Sequence, residues 1–301
     1  MALIRPLSQG GDDMRIASVF GLTAQAPDLF SSLPQADRMD RLRALMQSVA
    51  DMGITELYIP AWTEIVGYQQ AAYSLPLTVM IDKISSTGVP MTGRDIRNDI
   101  DKMFLRMPRG VALWINDDAG VLTPDHIRLI EAAHALYPEM EIVWTPPIYR
   151  LTRCDVPPYV TIVGQWHGYP PHRRAKIAEG GVAGHGWARQ SFLEGKGAWA
   201  KLERLYGDQV SLGMCIQTAY EAGTPPIPEG ATAEILTWLR DETSCSVALC
   251  WTAIYPGYTG LIDWDRLAKV QRMRIDTRIW SDMAWEVRDF CTDSATKGGE
   301  G

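Results

Sequence analysis

Two adjacent carboxylates, Asp117 and Asp118, follow the strand-forming run VALWIN and stand just before Gly120. Breaking a glycosidic bond takes two carboxyl groups flanking it. One is protonated to assist the leaving oxygen and the other is ionised as base or nucleophile. Glu221, which follows a second apolar run (Val210 to Gln217), is the best partner on the chain. The pattern favours Asp118 as the acid and Glu221 as base or nucleophile, with Asp117 able to raise its neighbour's pKa by like-charge repulsion. Both positions also have a plainer role. The two aspartates end a strand and approach the helix opened by Thr123-Pro124-Asp125, where negative charge is favourable. Glu221 opens Glu-Ala-Gly ahead of Pro225 and Pro226, which reads equally as a solvated loop.

Around these carboxylates the ends of other apolar runs supply amides, acids and large rings: Trp62 and Glu64, Asp82, Trp144 and Tyr149, Gln165, Trp166 and His167, Gln217, and Trp251 and Tyr255. Indole and phenol faces stack on the apolar faces of sugar rings, and carboxylates and amides bond the hydroxyls at the rim. The mixture suits a carbohydrate partner better than a phosphorylated metabolite. Eleven tryptophans serve this chain of 301 residues, and each candidate among them is either a sugar platform or core packing.

Such residues meet only if a scaffold brings strand ends to one place. Strands are expected at Arg15–Phe20, Ile54–Pro60, Leu77–Asp82, Val111 onward, Glu141–Thr145, Tyr159–Gln165, Val210–Gln217 and Ser246–Thr252. Between most of them the apolar spacing turns helical. Met39, Leu42, Leu45, Met46, Val49 and Met52 form one stripe before Gly53, and Ile96, Ile100, Met103, Phe104 and Met107 form another before Pro108. Thr123 and Pro124 are an N-cap and a first helical residue. Helices are also expected from about Phe192 to Tyr206, Ala231 to Asp241 and Thr277 to Phe290. The stretch Ile65–Pro76 is too short and mixed for a clear helix. Eight strands alternating mostly with helices call for an α/β fold, a single-domain (β/α)8 TIM barrel over residues 14–292 with an extra C-terminal helix. Residues 1–13 read as a polar arm able to dock on another protein, and 293–301 as a disordered tail.

The run from Tyr73 through Pro146 resembles the middle of TIM-barrel glycoside hydrolases and their relatives in bacterial polysaccharide clusters. It has an apolar strand ending in aspartate (LTVMID), a helix (GRDIRNDIDKMFLRM), a strand after a basic turn (RGVALWIND), another helix and a further strand (EIVWTPP). That resemblance covers about a quarter of the chain and implies the barrel. It carries no Trp-Asn-Glu at a strand end and no Asp-x-Asp-x-Glu, and the last strand, LCWTAIYPG, bears no acid.

Other chemistries fit less well. His167, His172 and His185 match no zinc or iron spacing, so neither metal nor cofactor is expected. Gly180-Gly181 and Gly184-x-Gly186 lack the strand, helix and lysine of a phosphate cradle and read as a lid. No G-x-S-x-G elbow exists. Five cysteines without a C-x-x-C pair read as reduced, buried thiols. A net charge of −7 with scattered charges argues against nucleic acid. The opening MALIRPLSQGGDD lacks the apolar core of a signal peptide, and no run of about 18 apolar residues suggests a membrane span. The expectation is a cytoplasmic protein, although a virion component would look the same. A glycoside hydrolase is the first reading; the alternative is a non-catalytic glycan-binding or structural barrel, for example part of a virus tail.

Overall fold

A computed structural model describes residues 14–21, 35–59, 74–84, 111–115, 120–166, 185–221, 227, 229–255, 257–270 and 275–297. Strand β1 (Arg15–Phe20) is buried from Ile16 onward, as expected for a strand covered on both faces. Helix α1 (Gln35–Ala50) lays Leu42, Leu45, Met46 and Val49 on the sheet. It stops at Gly53, whose φ of 87° is left-handed. A Cβ there would also stand 2.5 Å from the Cys291 Cβ, so glycine is required twice over.

The chain continues through β2 (Glu56–Ile59), β3 (Thr78–Ile84), β4 (Val111–Ile115), α2 (Pro124–Leu136), β5 (Ile142–Trp144), β6 (Val160–Gln165), α3 (His185–Tyr206) and β7 (Leu212–Gln217). Then come the short β8 (Tyr220–Glu221), α4 (Ala231–Glu242), β9 (Val247–Ile254), the short β10 (Tyr258–Thr259), α5 (Trp264–Lys269), a 3-10 turn at Thr277–Ile279 and α6 (Asp282–Lys297). Eight strands close in the order β1-β2-β3-β4-β5-β6-β7-β9, and every neighbouring pair is parallel. The fold is a (β/α)8 TIM barrel with an extra C-terminal helix. β8 and β10 pair antiparallel apart from it.

Thr123 caps α2 as its position in the sequence implies: its hydroxyl accepts from the His126 amide, and the Thr123 amide donates to His126 Nδ1. The extra helix α6 is tied to the barrel by Glu286. Its two carboxylate oxygens accept from the Gly230 and Ala233 amides at the start of α4, at 2.8 and 3.1 Å, where the unpaired helix amides favour an anion.

Two apolar clusters divide the interior. The larger lies between sheet and helices; the smaller fills the barrel with Ala17, Val19, Tyr58, Met80, Trp114, Val143, Val163, Cys215, Val247 and Leu249. Side chains alternate along a strand, so this inner set fixes which residues of each strand look into the barrel.

Strand ends shift by one or two residues from expectation, and three helix boundaries differ by more. Helix α3 begins at His185, seven residues before Phe192, so His185 and Trp187 belong to it rather than to a loop. A glycine inside a helix costs only about 1 kcal/mol, too little for Gly186 to stop it. The expected Thr277–Phe290 helix is interrupted at Trp280, which turns inward at 3% exposure and donates from Nε1 to the Ser48 hydroxyl at 2.7 Å. Helix α6 then runs to Lys297, past the point where a disordered tail was expected to start. The arm 1–13, the glycines 180–184 and the helix expected around Ile96–Met107 lie outside the described residues.

Candidate functional site at the C-terminal mouth

Parallel strands all finish at one end of the barrel, and the loops that follow them form its mouth. Gln217 and Trp251 end there side by side: they are register partners on β7 and β9, and the Thr218 amide donates to the Trp251 carbonyl at 2.7 Å. Trp251 is half-buried and packs on the inner cluster, so its indole belongs to the barrel interior at the top. The peptide bond from Trp251 to Thr252 is cis. The Tyr255 ring follows at 6.5 Å from Trp251, and Tyr258 stands edge-on to Tyr255 at 5.3 Å. Tyr255 lies over Gly21 at the end of β1, where a Cβ would come within 2.7 Å of its ring. Trp251, Tyr255 and Tyr258 thus form a connected, partly exposed aromatic wall.

Glu221 reaches this wall through the small antiparallel sheet, where its backbone pairs with Tyr258. On the opposite side, the backbone of Asp82 on β3 pairs with Trp114 on β4. The side chains of Glu221 and Asp82 lie outside the description, as do Trp62, Glu64, Asp117, Asp118 and His167 altogether.

The amides of the rim are engaged with backbone. Gln165 is buried and donates from Nε2 to the Thr145 carbonyl, and Gln217 donates to the Ala219 carbonyl. Tyr149, in the turn after β5, is 71% exposed, with the Arg150 guanidinium 5.2 Å from its ring centre.

Two of the expected platforms pack on the outer core, Trp144 fully buried and Trp166 partly so. Val143 faces into the barrel, so Trp144 faces out; it has no exposed surface and meets the Tyr206 ring of α3 edge-on at 6.5 Å. Trp166 follows Gln165 and lies against α3, where a Cβ on Gly195 would stand 2.8 Å from its ring. A second indole inside the barrel, below Trp251, is Trp114, which donates from Nε1 to the Thr145 hydroxyl at 2.8 Å and touches Tyr58 edge-on. Trp114 and Tyr258 were not among the candidate residues. Period-two counting from the inner set would have selected Trp114 over Trp144, but the sequence does not say which parity is inner.

No family model matches the sequence, and no curated protein does. Solved structures do. A glycoside hydrolase family 2 β-galacturonidase from Eisenbergiella tayi, bound to galacturonate, superposes with a TM-score of 0.59 at 12% identity, covering 95% of this chain and 54% of that one. This chain therefore spans about half of the galacturonidase's length. Active domain 2 of a chitinase from Pyrococcus furiosus, crystallised as catalytic-site mutants with chito-oligosaccharides, aligns over 98% of this chain and 99% of its own, with a TM-score of 0.53 at 9% identity. An uncultured Clostridium β-glucuronidase gives 0.52 at 11% identity over 87% and 47% of the two chains. The likeness is one of fold.

The chemistry available at this mouth is polar and aromatic. Among the described residues no group of three or more His, Cys, Asp or Glu side chains could hold a metal. The buried thiols Cys215 and Cys250 are pushed well above the usual thiol range by desolvation, which keeps them protonated and poor as nucleophiles. No helix among the described residues is long and apolar enough to cross a membrane.

Proposed function

We propose that this barrel binds a carbohydrate at its C-terminal mouth and hydrolyses a glycosidic bond there. The observation that carries the reading is the aromatic wall of Trp251, Tyr255 and Tyr258 with Glu221 paired to Tyr258. Rings of this kind give a sugar an apolar face to stack on, and hydrolysis of a glycosidic bond needs carboxyl groups flanking it. Asp118 is the proposed acid. In the sequence it stands three residues past the end of β4. Glu221 is the proposed base or nucleophile, with Asp82, Asp117 and Glu64 as further polar groups for hydroxyls. Trp62, Tyr149 and His167 complete the proposed binding set. The galacturonidase, chitinase and glucuronidase barrels recommend galacturonides, glucuronides and chito-oligosaccharides as first substrates.

The test is hydrolysis of a polysaccharide panel by the protein beside Asp118→Asn and Glu221→Gln, with binding recorded on the same glycans. Cleavage that vanishes in either variant while binding persists is the expected result. Binding without cleavage in all three proteins would replace hydrolysis by recognition. Absence of both would remove the carbohydrate reading and leave a structural barrel.

A further inference from the structure

At the end of the barrel opposite the mouth, three charged side chains meet across the interior. Arg15 opens β1, Glu56 opens β2, and Glu141 precedes β5. The Arg15 guanidinium donates twice to Glu141, Nη1 to Oε2 at 2.7 Å and Nη2 to Oε1 at 2.6 Å, and Nη1 also donates to Glu56 Oε1 at 2.5 Å. One cation therefore faces two carboxylates, and with both ionised the group carries a net charge of −1 inside protein.

The two carboxylates are not equivalent. The Glu141 side chain keeps 22% of its surface and holds the bidentate face of the guanidinium; Glu56 keeps 4% and has one bond. Among the described residues its second oxygen, Oε2, is buried with no hydrogen-bond partner, and the Tyr58 hydroxyl on the same strand is likewise buried without one. An ionised carboxylate with an oxygen out of reach of water and donors is costly, and protonation is the cheapest relief.

We propose that Glu56 keeps its proton into the mildly acidic range where an ordinary glutamate has lost it and makes the barrel floor a proton-linked clasp, in which one proton neutralises the Arg15–Glu56–Glu141 group that joins β1, β2 and β5. The groups facing Glu56 among the described residues are Arg15, Glu141 and Tyr58, with the Cys215 thiol of β7 beside Tyr58. Desolvation is the largest influence on Glu56 and raises its pKa to about 7, with Arg15 opposing and Glu141 reinforcing it. The folded-state value lies above the ordinary 4.5, so the folded state binds the proton more tightly than the unfolded chain does. The clasp's stabilisation is complete below the ordinary value and is lost as pH rises toward 7. This inference is independent of any activity at the mouth.

The experiment is thermal unfolding of the full chain from about pH 4.5 to about pH 8, for the wild type and for Glu56→Gln, which mimics the protonated carboxyl. The expected result is a fall of several degrees in Tm with rising pH in the wild type, with that component missing in the variant. Parallel profiles for the two proteins would overturn the proposal. Should Glu56→Gln not fold, Glu141→Gln decides it. Freeing Arg15 for Glu56 should move the midpoint of the fall to lower pH, and an unmoved midpoint would overturn the clasp.

Discussion

Arg15 of β1 and Glu141 ahead of β5 are joined by a bidentate ion pair, with Nη2 to Oε1 at 2.6 Å, although their strands lie four places apart in the eight-strand ring. The pair is a strut across the floor of the barrel, and the same guanidinium also holds Glu56 on β2.

Removing the cation should therefore cost far more than a surface ion pair would. Arg15→Met takes the shared donor away from the buried Glu56 and the part-buried Glu141, and leaving such acceptors unmade costs about 1–3 kcal/mol. Urea unfolding of the variant should show that loss at neutral pH. A loss under about 0.5 kcal/mol, the scale of an exposed pair, would mean that the strut carries little stability.

Trp251 and Trp144 should respond in opposite ways to truncation. Trp144→Ala empties a fully buried site between β5 and α3, and loss of such a side chain costs about 3–5 kcal/mol of stability. Glycan affinity per folded molecule should stay unchanged. Trp251→Ala, at the half-buried mouth, should instead weaken glycan binding by roughly tenfold or more, the scale of one lost stacking ring, with a smaller change in unfolding. Calorimetric titration beside denaturant melts separates the two. Equal affinity loss in both variants would show the platform to be wrongly placed.

Gly213 on β7 admits no side chain. A Cβ there would stand 2.6 Å from the Val247 carbonyl oxygen and 3.0 Å from the Val163 side chain, and the carbonyl belongs to the neighbouring strand and cannot turn away. Gly213→Ala should cost about 1–3 kcal/mol through forced separation of β7 from β9. Gly230→Ala is an informative contrast, since nothing lies within 4 Å of its Cβ position and only its left-handed φ of 80° is strained. Equilibrium denaturation of both would show whether crowding or backbone conformation is the stronger constraint.

Thiol chemistry should report folding. Cys215, Cys245 and Cys250 are buried, and desolvation raises all three, Cys245 to about 12. At neutral pH they should resist iodoacetamide in the native protein and react fully in denaturant, since the thiolate is the reacting form. Cys291, pushed up to about 11, should be slow as well. Rapid native labelling of Cys215 or Cys250, read by mass spectrometry of peptides, would contradict a closed and packed barrel.

The sequence by itself determined the scaffold. Eight apolar runs, helical stripes such as Leu42–Leu45–Met46–Val49, the Thr123-Pro124 helix start and Gly53 as a stop are local signals. Period and capping chemistry act within a few residues and need no partner. The sheet order follows from them, because alternating strands and helices leave a closed parallel ring as the simplest way to cover every apolar face. Only the tertiary structure decided which face each strand residue takes. A strand's period of two offers two parities, and closure of the ring selects one, which sends Trp114 inward to Thr145 and Tyr58 and Trp144 outward to Tyr206. The meeting of Arg15, Glu56 and Glu141 was hidden for the same reason. Residues 41 and 126 positions from Arg15 come together only because the sheet sets β2 beside β1 and the closed barrel brings the start of β5 within reach of the same guanidinium.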